Sequence, residues 1–304
     1  MTIKHLVIAG GGLLGFRYFG ALKRLEEVGF WKRENVESIY GTSIGSLLGT
    51  CIALKYDWET LERFIVEKPW QDEFVVNGKQ IFEAYSTKGL YDIKLFEAIF
   101  KPLLGALDLS IDITLKQLYE FNPIDLHIYT FEMNSFKTID LSHTTHPDLR
   151  LIEAITMSSA IPGLVKPIIK NVNIENNDSL EIPCCYIDGG VEYNYPLNFC
   201  LEKGCIVNEI LGVQSVINKE KIMNIITNDT NILDFFIKFS INTIIHLTNI
   251  HRQNSIDNEI QCLNDGESMT LEFWNDVIRS KERRKQLILE GEEDANQIII
   301  PKIC

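Results

Sequence analysis

Gly41-Thr42-Ser43-Ile44-Gly45 follows directly on an apolar run at 36–40. A Gly-x-Ser-x-Gly sequence between a strand and a helix is typical of a nucleophile elbow, in which a serine occupies a sharp turn. Gly41 and Gly45 keep side chains out of the crowded backbone of such a turn. A helix predicted over 44–55 would aim its N-terminal amides at whatever Ser43 attacks. The pentapeptide therefore predicts a reactive serine at a helix N-terminus.

A second glycine cluster, Gly10-Gly11-Gly12-Leu13-Leu14-Gly15, lies one strand and one helix upstream of the elbow. Residues 3–9 are apolar and end in glycines, which predicts a buried strand. Apolar residues at a 3.6-residue period predict a helix over 15–28. With the strand at 36–40 these segments form a βαβ unit, so the two strands should be parallel. Both glycine loops then lie at the carboxyl edge of one sheet, where open α/β sheets bind ligands.

The remaining sequence continues the alternation of helix and strand patterns. We expect amphipathic helices at 57–69 and 90–104, an antiparallel strand pair at 126–132 and 136–141, a helix at 148–158, a polar surface loop at 171–178, a strand at 182–187 and the last sheet strand at 210–216. Beyond residue 218 the pattern is mostly helical and ends in a long charged helix at 273–290. Without a break in composition, we expect one α/β domain over 1–304 with a mostly parallel central sheet.

Composition excludes several classes of partner. The chain has 304 residues, a net charge of -13 and a pI near 5.0, which argues against nucleic acid and against strong attachment to anionic membranes. Seven cysteines without a CxxC pair, and no signal peptide ahead of them, indicate reduced thiols in a cytoplasmic protein. The apolar stretch 232–250 carries charged residues and is not expected to span a membrane. The basic cluster 281–285 is expected to form a solvated helix face.

The pattern Gly10-x-Gly12-x-x-Gly15 allows two interpretations. After a strand and before a helix it can hold a dinucleotide pyrophosphate, but that interpretation requires an acidic residue at the end of the second strand. Here the second strand ends in Tyr40 and continues into the elbow. The alternative is an oxyanion hole, because consecutive glycines expose backbone N–H groups that can stabilise the negative oxygen of a tetrahedral intermediate. The second interpretation fits an esterase in which Ser43 is the attacking group.

A serine nucleophile needs a base, and none of the six histidines has an evident catalytic context. Asp188 stands at the predicted end of an apolar strand, at the edge that carries both glycine loops, and Gly189-Gly190 lets the backbone turn tightly there. An ordinary Asp-Gly turn would give the same local sequence. Together with the other two motifs, Asp188 is better interpreted as a carboxylate that reaches Ser43.

These three motifs, in this order and spacing, resemble those of the patatin-like phospholipases, which are lipid acyl hydrolases with a Ser-Asp dyad. Ser158-Ser159-Ala160-Ile161-Pro162 and Tyr193-Asn194-Tyr195-Pro196 also resemble family segments, so the core motifs span about 4–216. The part 217–304 is mainly helical, and its helix at 280–295 resembles the family's closing helix more weakly. The resemblance implies a three-layer fold with helices on both faces of the sheet. It also implies Ser43 as nucleophile, Asp188 as base and the Gly10 to Gly12 backbone as oxyanion hole.

By the same resemblance, the substrate is a fatty-acyl ester of a phospholipid or related lipid, with transient contact at a membrane surface and no cofactor or metal. One departure is Leu14, where many members carry Arg or Lys for a phosphate head group; Arg17, one helical turn on, is a candidate substitute. Two rivals stay open. One is an α/β-hydrolase-type esterase whose Ser-Asp-His triad uses His246 or His251, and the other is a non-catalytic lipid-binding or interaction protein of the same fold.

Overall fold

The computed structural model describes residues 2–174, 177–217, 226–230 and 255–299 apart from 267 and 269, together with 235, 238, 239, 242, 243, 246, 247 and 250. The strands in these residues are β1 (His5–Ile8), β2 (Ser38–Thr42), β3 (Gly89–Tyr91), β4 (Asp125–Glu132), β5 (Lys137–Leu141), β6 (Gly163–Val165), β7 (Ile168–Ile174), β8 (Asn177–Asp188), β9 (Ile210–Ile217) and β10 (Glu259–Asn264).

The helices in the same described residues lie between and after these strands. They are α1 (Gly15–Glu27), α2 (Ile44–Ala53), α3 (Trp58–Glu67), α4 (Trp70–Glu73), α5 (Gly78–Thr87), α6 (Ile93–Gly105), α7 (Leu115–Phe121), α8 (Leu151–Ser158), α9 (Leu197–Glu202), α10 (Leu271–Arg279), α11 (Lys281–Asp294) and α12 (Asn296–Ile299). Every helix within the described residues is too short or too polar to cross a bilayer.

The central sheet has the strand order β10-β9-β1-β2-β4-β8-β7, with β5 also paired to β4. The five strands from β10 to β4 are all parallel to one another, whereas β5, β8 and β7 join the sheet in antiparallel pairs. Two short strands, β3 and β6, form a separate parallel pair. The sheet is therefore mixed with a parallel core, and the predicted βαβ unit is β1-α1-β2.

Helices cover both faces of this sheet. Successive side chains of a strand point to opposite faces, so β1 contributes side chains to two hydrophobic clusters. On β1, Leu6 and Ile8 face the larger hydrophobic cluster, which contains residues of α1, α2, α6 and α8. Val7 faces a smaller cluster on the other side, where Leu197 and Cys200 of α9 pack. Both clusters are buried, and the predicted fold class of a mostly parallel sheet between helical layers is confirmed.

Two predictions about the sheet are wrong. The stretch 171–178 was expected to be a polar loop, but 171–174 are part of β7 and 177–178 are part of β8, because antiparallel pairing of the two strands satisfies the backbone groups of these residues. β9 was expected to be the last strand, but β10 follows it and pairs with it in parallel. β9, the strand that β10 pairs with, lies far away in sequence, and the short sequence of β10 by itself did not predict a strand.

The charged C-terminal segment also differs from expectation. The predicted helix 273–290 is two helices, α10 and α11, separated at Ser280, whose hydroxyl caps α11. The basic cluster was expected to be solvated, yet Arg284 is only 1% exposed. Its guanidinium donates to the carbonyls of Val66 (2.7 Å) and Val277 (2.8 Å), in the last turns of α3 and α10. The C-terminal ends of two helices thus stabilise this buried cation.

Candidate active site

Ser43 lies in the sharp turn between β2 and α2. Its backbone has φ 52° and ψ -123°, a conformation that a non-glycine residue rarely adopts and that costs of the order of 1–3 kcal/mol. The turn fits only because its neighbours are glycines. A Cβ at Gly41 would lie 2.7 Å from the backbone of Gly45, and a Cβ at Gly45 would lie 2.1 Å from the carbonyl oxygen of Ile8. The elbow predicted from the pentapeptide is present.

The strained turn is held from outside by the C-terminal end of α8. The N–H of Ser43 donates to Oγ of Ser158 over 2.9 Å, and the Ser158 hydroxyl donates in turn to the carbonyl of Tyr129 over 2.6 Å. Two residues further on, the carbonyl of Ala160 accepts the N–H of Asp188. The segment 158–160 therefore contacts both residues that the sequence singled out.

Asp188 reaches the elbow because of the register of two strands. β8 runs antiparallel to β4 and pairs Asp188 with Thr130, while β2 pairs Thr42 with Tyr129. Asp188 therefore lies level with the end of β2. The argument from sequence placed Asp188 at the carboxyl edge of parallel strands. Since β8 is antiparallel to β4, that argument does not explain the position of Asp188. A Cβ at Gly189 would lie 2.4 Å from the carbonyl oxygen of Tyr129, so the turn after Asp188 requires glycine.

The Ser43 hydroxyl and the Asp188 carboxyl are both buried and lie close enough together for the hydroxyl to lower the pKa of the carboxyl. Ser43 is 5% exposed and Asp188 is 7% exposed. Burial raises the pKa of Asp188 to about 6, and hydrogen bonds from the Ser43 hydroxyl and the Gly190 N–H oppose that rise. The Gly190 N–H lies 2.7 Å from Oδ1 of Asp188 and fixes the carboxyl in the turn. A carboxylate with this pKa can take up a proton near neutral pH.

The glycine loop faces the elbow, with Cβ of Ser43 only 3.3 Å from where a Gly10 Cβ would stand. The Gly10 N–H donates to the Asn194 carbonyl, and the Asn194 amide donates back to the Gly10 carbonyl over 3.1 Å. Within the described part of the chain, the N–H groups of Gly11 and Gly12 have no protein acceptor. Gly10 was predicted as an oxyanion-hole donor, but its N–H is already used, and Gly11 and Gly12 are the available donors.

The first glycine of α1, Gly15, closes the same loop, because a Cβ there would lie 2.2 Å from Cγ1 of Ile44. The N-termini of α1 and α2 can therefore approach each other directly beside Ser43. The sequence analysis named Asn194 only as part of a family-like segment. Asn194 and Gly10, which are in contact, lie 184 residues apart in the chain. No local signal marks such a contact.

Among the histidines that the structure describes, none is a partner of Asp188 or Ser43. His5 bonds to Ser38, His127 lies between Asp140 and Asp125, and His143 pairs with Asp125. His146 bonds to Thr145, and His246 is exposed. His251 lies outside the described residues. These contacts give the triad hypothesis no described histidine to complete it.

Position 14 holds an uncharged leucine, and the charge of Arg17 is bound away from the site. Leu14 is buried in the main hydrophobic cluster. The guanidinium of Arg17 donates to Asp294 over 2.7 Å and to the Leu263 carbonyl over 2.7 Å. The structure therefore does not support Arg17 as a substitute ligand for a phosphate head group. Within the described residues there is also no cluster of His, Cys, Asp or Glu arranged to hold a metal ion.

A cavity of about 160 Å³ opens beside Ser43. Its walls are the glycine loop with the start of α1, the apolar faces of α2, α3, α4, α6 and α10, and the segment after α8. Among its lining residues only Ser43 and Ser159 carry a hydroxyl. The apolar stretch 232–250 lies mostly outside the described residues. The described cavity is lined instead by helices on the sheet face that carries the elbow. The cavity therefore has room for a hydrocarbon chain, and its walls offer very few partners for polar groups.

Comparison with known proteins identifies the class. Residues 6–201 match the family model of the patatin-like phospholipases, and the chain belongs to that family. The match contains the glycine loop, the elbow and Asp188-Gly189-Gly190.

Similar proteins of known sequence come from a virus and a yeast. The chain is 26% identical over 202 residues to the probable lipid hydrolase 463L of Invertebrate iridescent virus 6, an alignment that covers 66% of this chain and 63% of the viral protein. It is 25% identical over 217 residues to the lysophospholipase NTE1 of Kluyveromyces lactis, covering 69% of this chain and 12% of the yeast protein. The chain thus spans less than two thirds of each of these relatives.

Among solved structures, VipD from Legionella pneumophila is similar with a TM-score of 0.52 and 16% sequence identity. The alignment covers 98% of this chain and 67% of VipD. At this identity the likeness concerns the fold alone.

Proposed function

We propose that this protein hydrolyses a fatty-acyl ester of a lipid through an acyl-enzyme on Ser43, with Asp188 as the general base. The single observation that carries the proposal is that Ser43, in a strained elbow that lines an apolar cavity, has the buried Asp188 carboxyl beside it. Membership in the patatin-like phospholipase family and the similarity to a probable lipid hydrolase support it.

In the first half of the reaction, Asp188 accepts the hydroxyl proton while Oγ of Ser43 attacks the ester carbonyl carbon. The carbonyl oxygen becomes negative, and we assign its stabilisation to the N–H groups of Gly11 and Gly12 together with the N-terminus of α2. Collapse of the intermediate breaks the bond to the alcohol oxygen. Asp188 returns its proton to that oxygen, which leaves the acyl group on Ser43.

In the second half, water takes the place of the alcohol. Asp188 accepts a proton from this water as its oxygen attacks the acyl carbon, and a second tetrahedral intermediate forms at the same donors. When the bond to Oγ breaks, Asp188 returns the proton to Ser43 and the fatty acid departs. A pKa of about 6 suits both directions of transfer, since Asp188 is deprotonated at neutral pH yet accepts a proton readily.

Covalent labelling tests the nucleophile. A fluorophosphonate lipid analogue, followed by peptide mass spectrometry, should modify Ser43 alone in the native protein. Ser43→Ala should abolish labelling and ester hydrolysis with an unchanged circular dichroism spectrum, whereas Ser86→Ala, at an exposed serine of α5, should retain both. Normal turnover by folded Ser43→Ala would refute the mechanism. A native protein that binds lipid but neither labels nor hydrolyses would support the non-catalytic rival.

The same proposal includes transient contact with a lipid surface. On α5, Phe82 is 85% exposed and Tyr85 is 96% exposed, which is unusual for large apolar side chains. The chain enters α5 from the cavity wall at Phe74 and leaves it through β3, which pairs with β6, where Val165 lines the cavity. The segments that precede and follow α5 in the chain thus both lead to the cavity. With a net charge of -13, a zwitterionic surface is the expected partner.

Vesicle sedimentation tests that contact. Replacing both Phe82 and Tyr85 by Ser should reduce binding to phosphatidylcholine vesicles severalfold and leave hydrolysis of a monomeric soluble ester unchanged. Leu289→Ser, at a 58% exposed position of α11, is the control and should bind as the native protein does. Equal vesicle binding by all three proteins would exclude α5 as the contact.

A further inference from the structure

The cavity beside Ser43 has a direction, which the spacing of its lining residues on α2 defines. Ser43, Ile44, Leu47, Leu48 and Cys51 all line it, and these positions share one face of the helix. From Ser43 to Cys51 the helix rises about 12 Å, at 1.5 Å per residue. The cavity therefore extends from the nucleophile along α2 to its third turn.

A second, smaller cavity of about 20 Å³ begins where the first one ends. It is enclosed by residues of α1, α2 and α3, among them Phe19 and Trp58, whose rings pack edge to face with centroids 5.0 Å apart. Three residues line both cavities, namely Leu48, Cys51 and Ile65. We call these three residues the septum, because they stand between the two spaces.

The septum is apolar on both sides. Burial raises the pKa of the Cys51 thiol to about 12, so this side chain is neutral and behaves as a small hydrophobic group. A hydrocarbon that follows α2 from Ser43 meets no hydrogen-bonding partner at the septum and no charge. What stops it there is the volume of three side chains.

Resting on the proposed function, we propose that the septum sets the longest acyl chain that the site accepts. An extended chain advances about 1.2 Å per bond, so about 12 Å accommodates roughly ten carbons beyond the carbonyl. Longer chains must bend back toward the mouth or displace the septum. Opening the septum would join the two cavities and extend the accepted length by two to four carbons, whereas enlarging a septum residue would shorten it.

Hydrolysis of p-nitrophenyl esters from four to sixteen carbons tests this inference on the full-length protein. For the native protein, kcat/KM should rise roughly fourfold per added methylene and stop rising at about ten carbons. Leu48→Ala should move that break to longer esters, and Cys51→Leu should move it to shorter ones. Leu61→Ala is the matched control, because Leu61 lines only the second cavity, and its break should coincide with that of the native protein.

A binding measurement separates this inference from the proposed function. Calorimetric titration of the same variants, each also carrying Ser43→Ala, with free fatty acids of six to sixteen carbons reports the length limit without turnover. A break that moves in binding, while the corresponding proteins that retain Ser43 hydrolyse no ester, would sustain the septum and refute the catalytic proposal. An identical break in Leu48→Ala, Cys51→Leu and Leu61→Ala would refute the septum. Should Leu48→Ala not fold, Cys51→Leu alone decides the outcome.

Discussion

Asp188, the base in the proposed mechanism, is buried, and its burial should lower the stability of the protein at neutral pH. The substitution that reveals this is Asp188→Asn, since an amide oxygen can still accept from Ser43 and Gly190 but carries no charge. We expect an inactive protein that unfolds at a higher temperature than the native one. Replacing a group that function requires often stabilises a protein, because functional sites are kept at a cost in stability.

The magnitude follows from the pKa of Asp188, raised from 3.8 to about 6 by burial. Between these values the unfolded chain has lost the proton and the folded protein has kept it, so the stability of the native protein falls as pH rises. At about 1.4 kcal/mol for each unit of pKa, the penalty reaches about 3 kcal/mol above pH 6 and vanishes below pH 4. Asp188→Asn avoids it, and its unfolding temperature should gain about 6 °C at pH 7.

Differential scanning calorimetry of both proteins from pH 3.5 to 8 is the assay. Because the two proteins share every other titrating group, the difference between their unfolding temperatures isolates Asp188. It should be smallest near pH 3.5, grow between pH 4 and 6 and then level off. A difference that is constant over this range, or that favours the native protein above pH 6, would refute the assignment of a raised pKa to a buried carboxyl.

Three further outcomes are expected. Gly45→Ala should lower the free energy of unfolding by about 3 kcal/mol or more, because its Cβ would lie 2.1 Å from a backbone oxygen, whereas Gly105→Ala, with nothing within 4 Å, should change it by less than about 1 kcal/mol in urea unfolding. Asn194→Ala should reduce kcat roughly tenfold or more with little change in KM, since its amide is one of two groups, with the Tyr18 hydroxyl, that donate to the Gly10 carbonyl; a raised KM with an unchanged kcat would indicate a binding role instead. The kcat/KM of the native protein should rise tenfold per pH unit up to about pH 6 and then level off, and a limb centred well above pH 7 would point to a different base.

The sequence by itself determined the features that depend on local sterics. A serine between two glycines after an apolar strand can hardly form anything but a tight strand-to-helix turn, and the clashes that a Cβ would make at Gly41 and Gly45 show why. The βαβ unit followed from hydrophobic periodicity, since each period fixes which face of an element is buried, whereas helices on both faces of the sheet were implied by the family resemblance. The position of Asp188 beside this turn was also predicted, but for a reason that the strand directions do not support.

Only the tertiary structure decided the contacts made across long sequence separations. An antiparallel register brings Asp188 level with Ser43, and Asn194 takes the N–H of Gly10 that sequence had assigned to the oxyanion hole. Burial of Arg284 against two helix ends, the added strand β10 and the septum between two cavities likewise depend on which elements meet. Local sequence patterns specify turns and faces, whereas pairing partners and cavities depend on how distant segments pack, and no single segment carries that information.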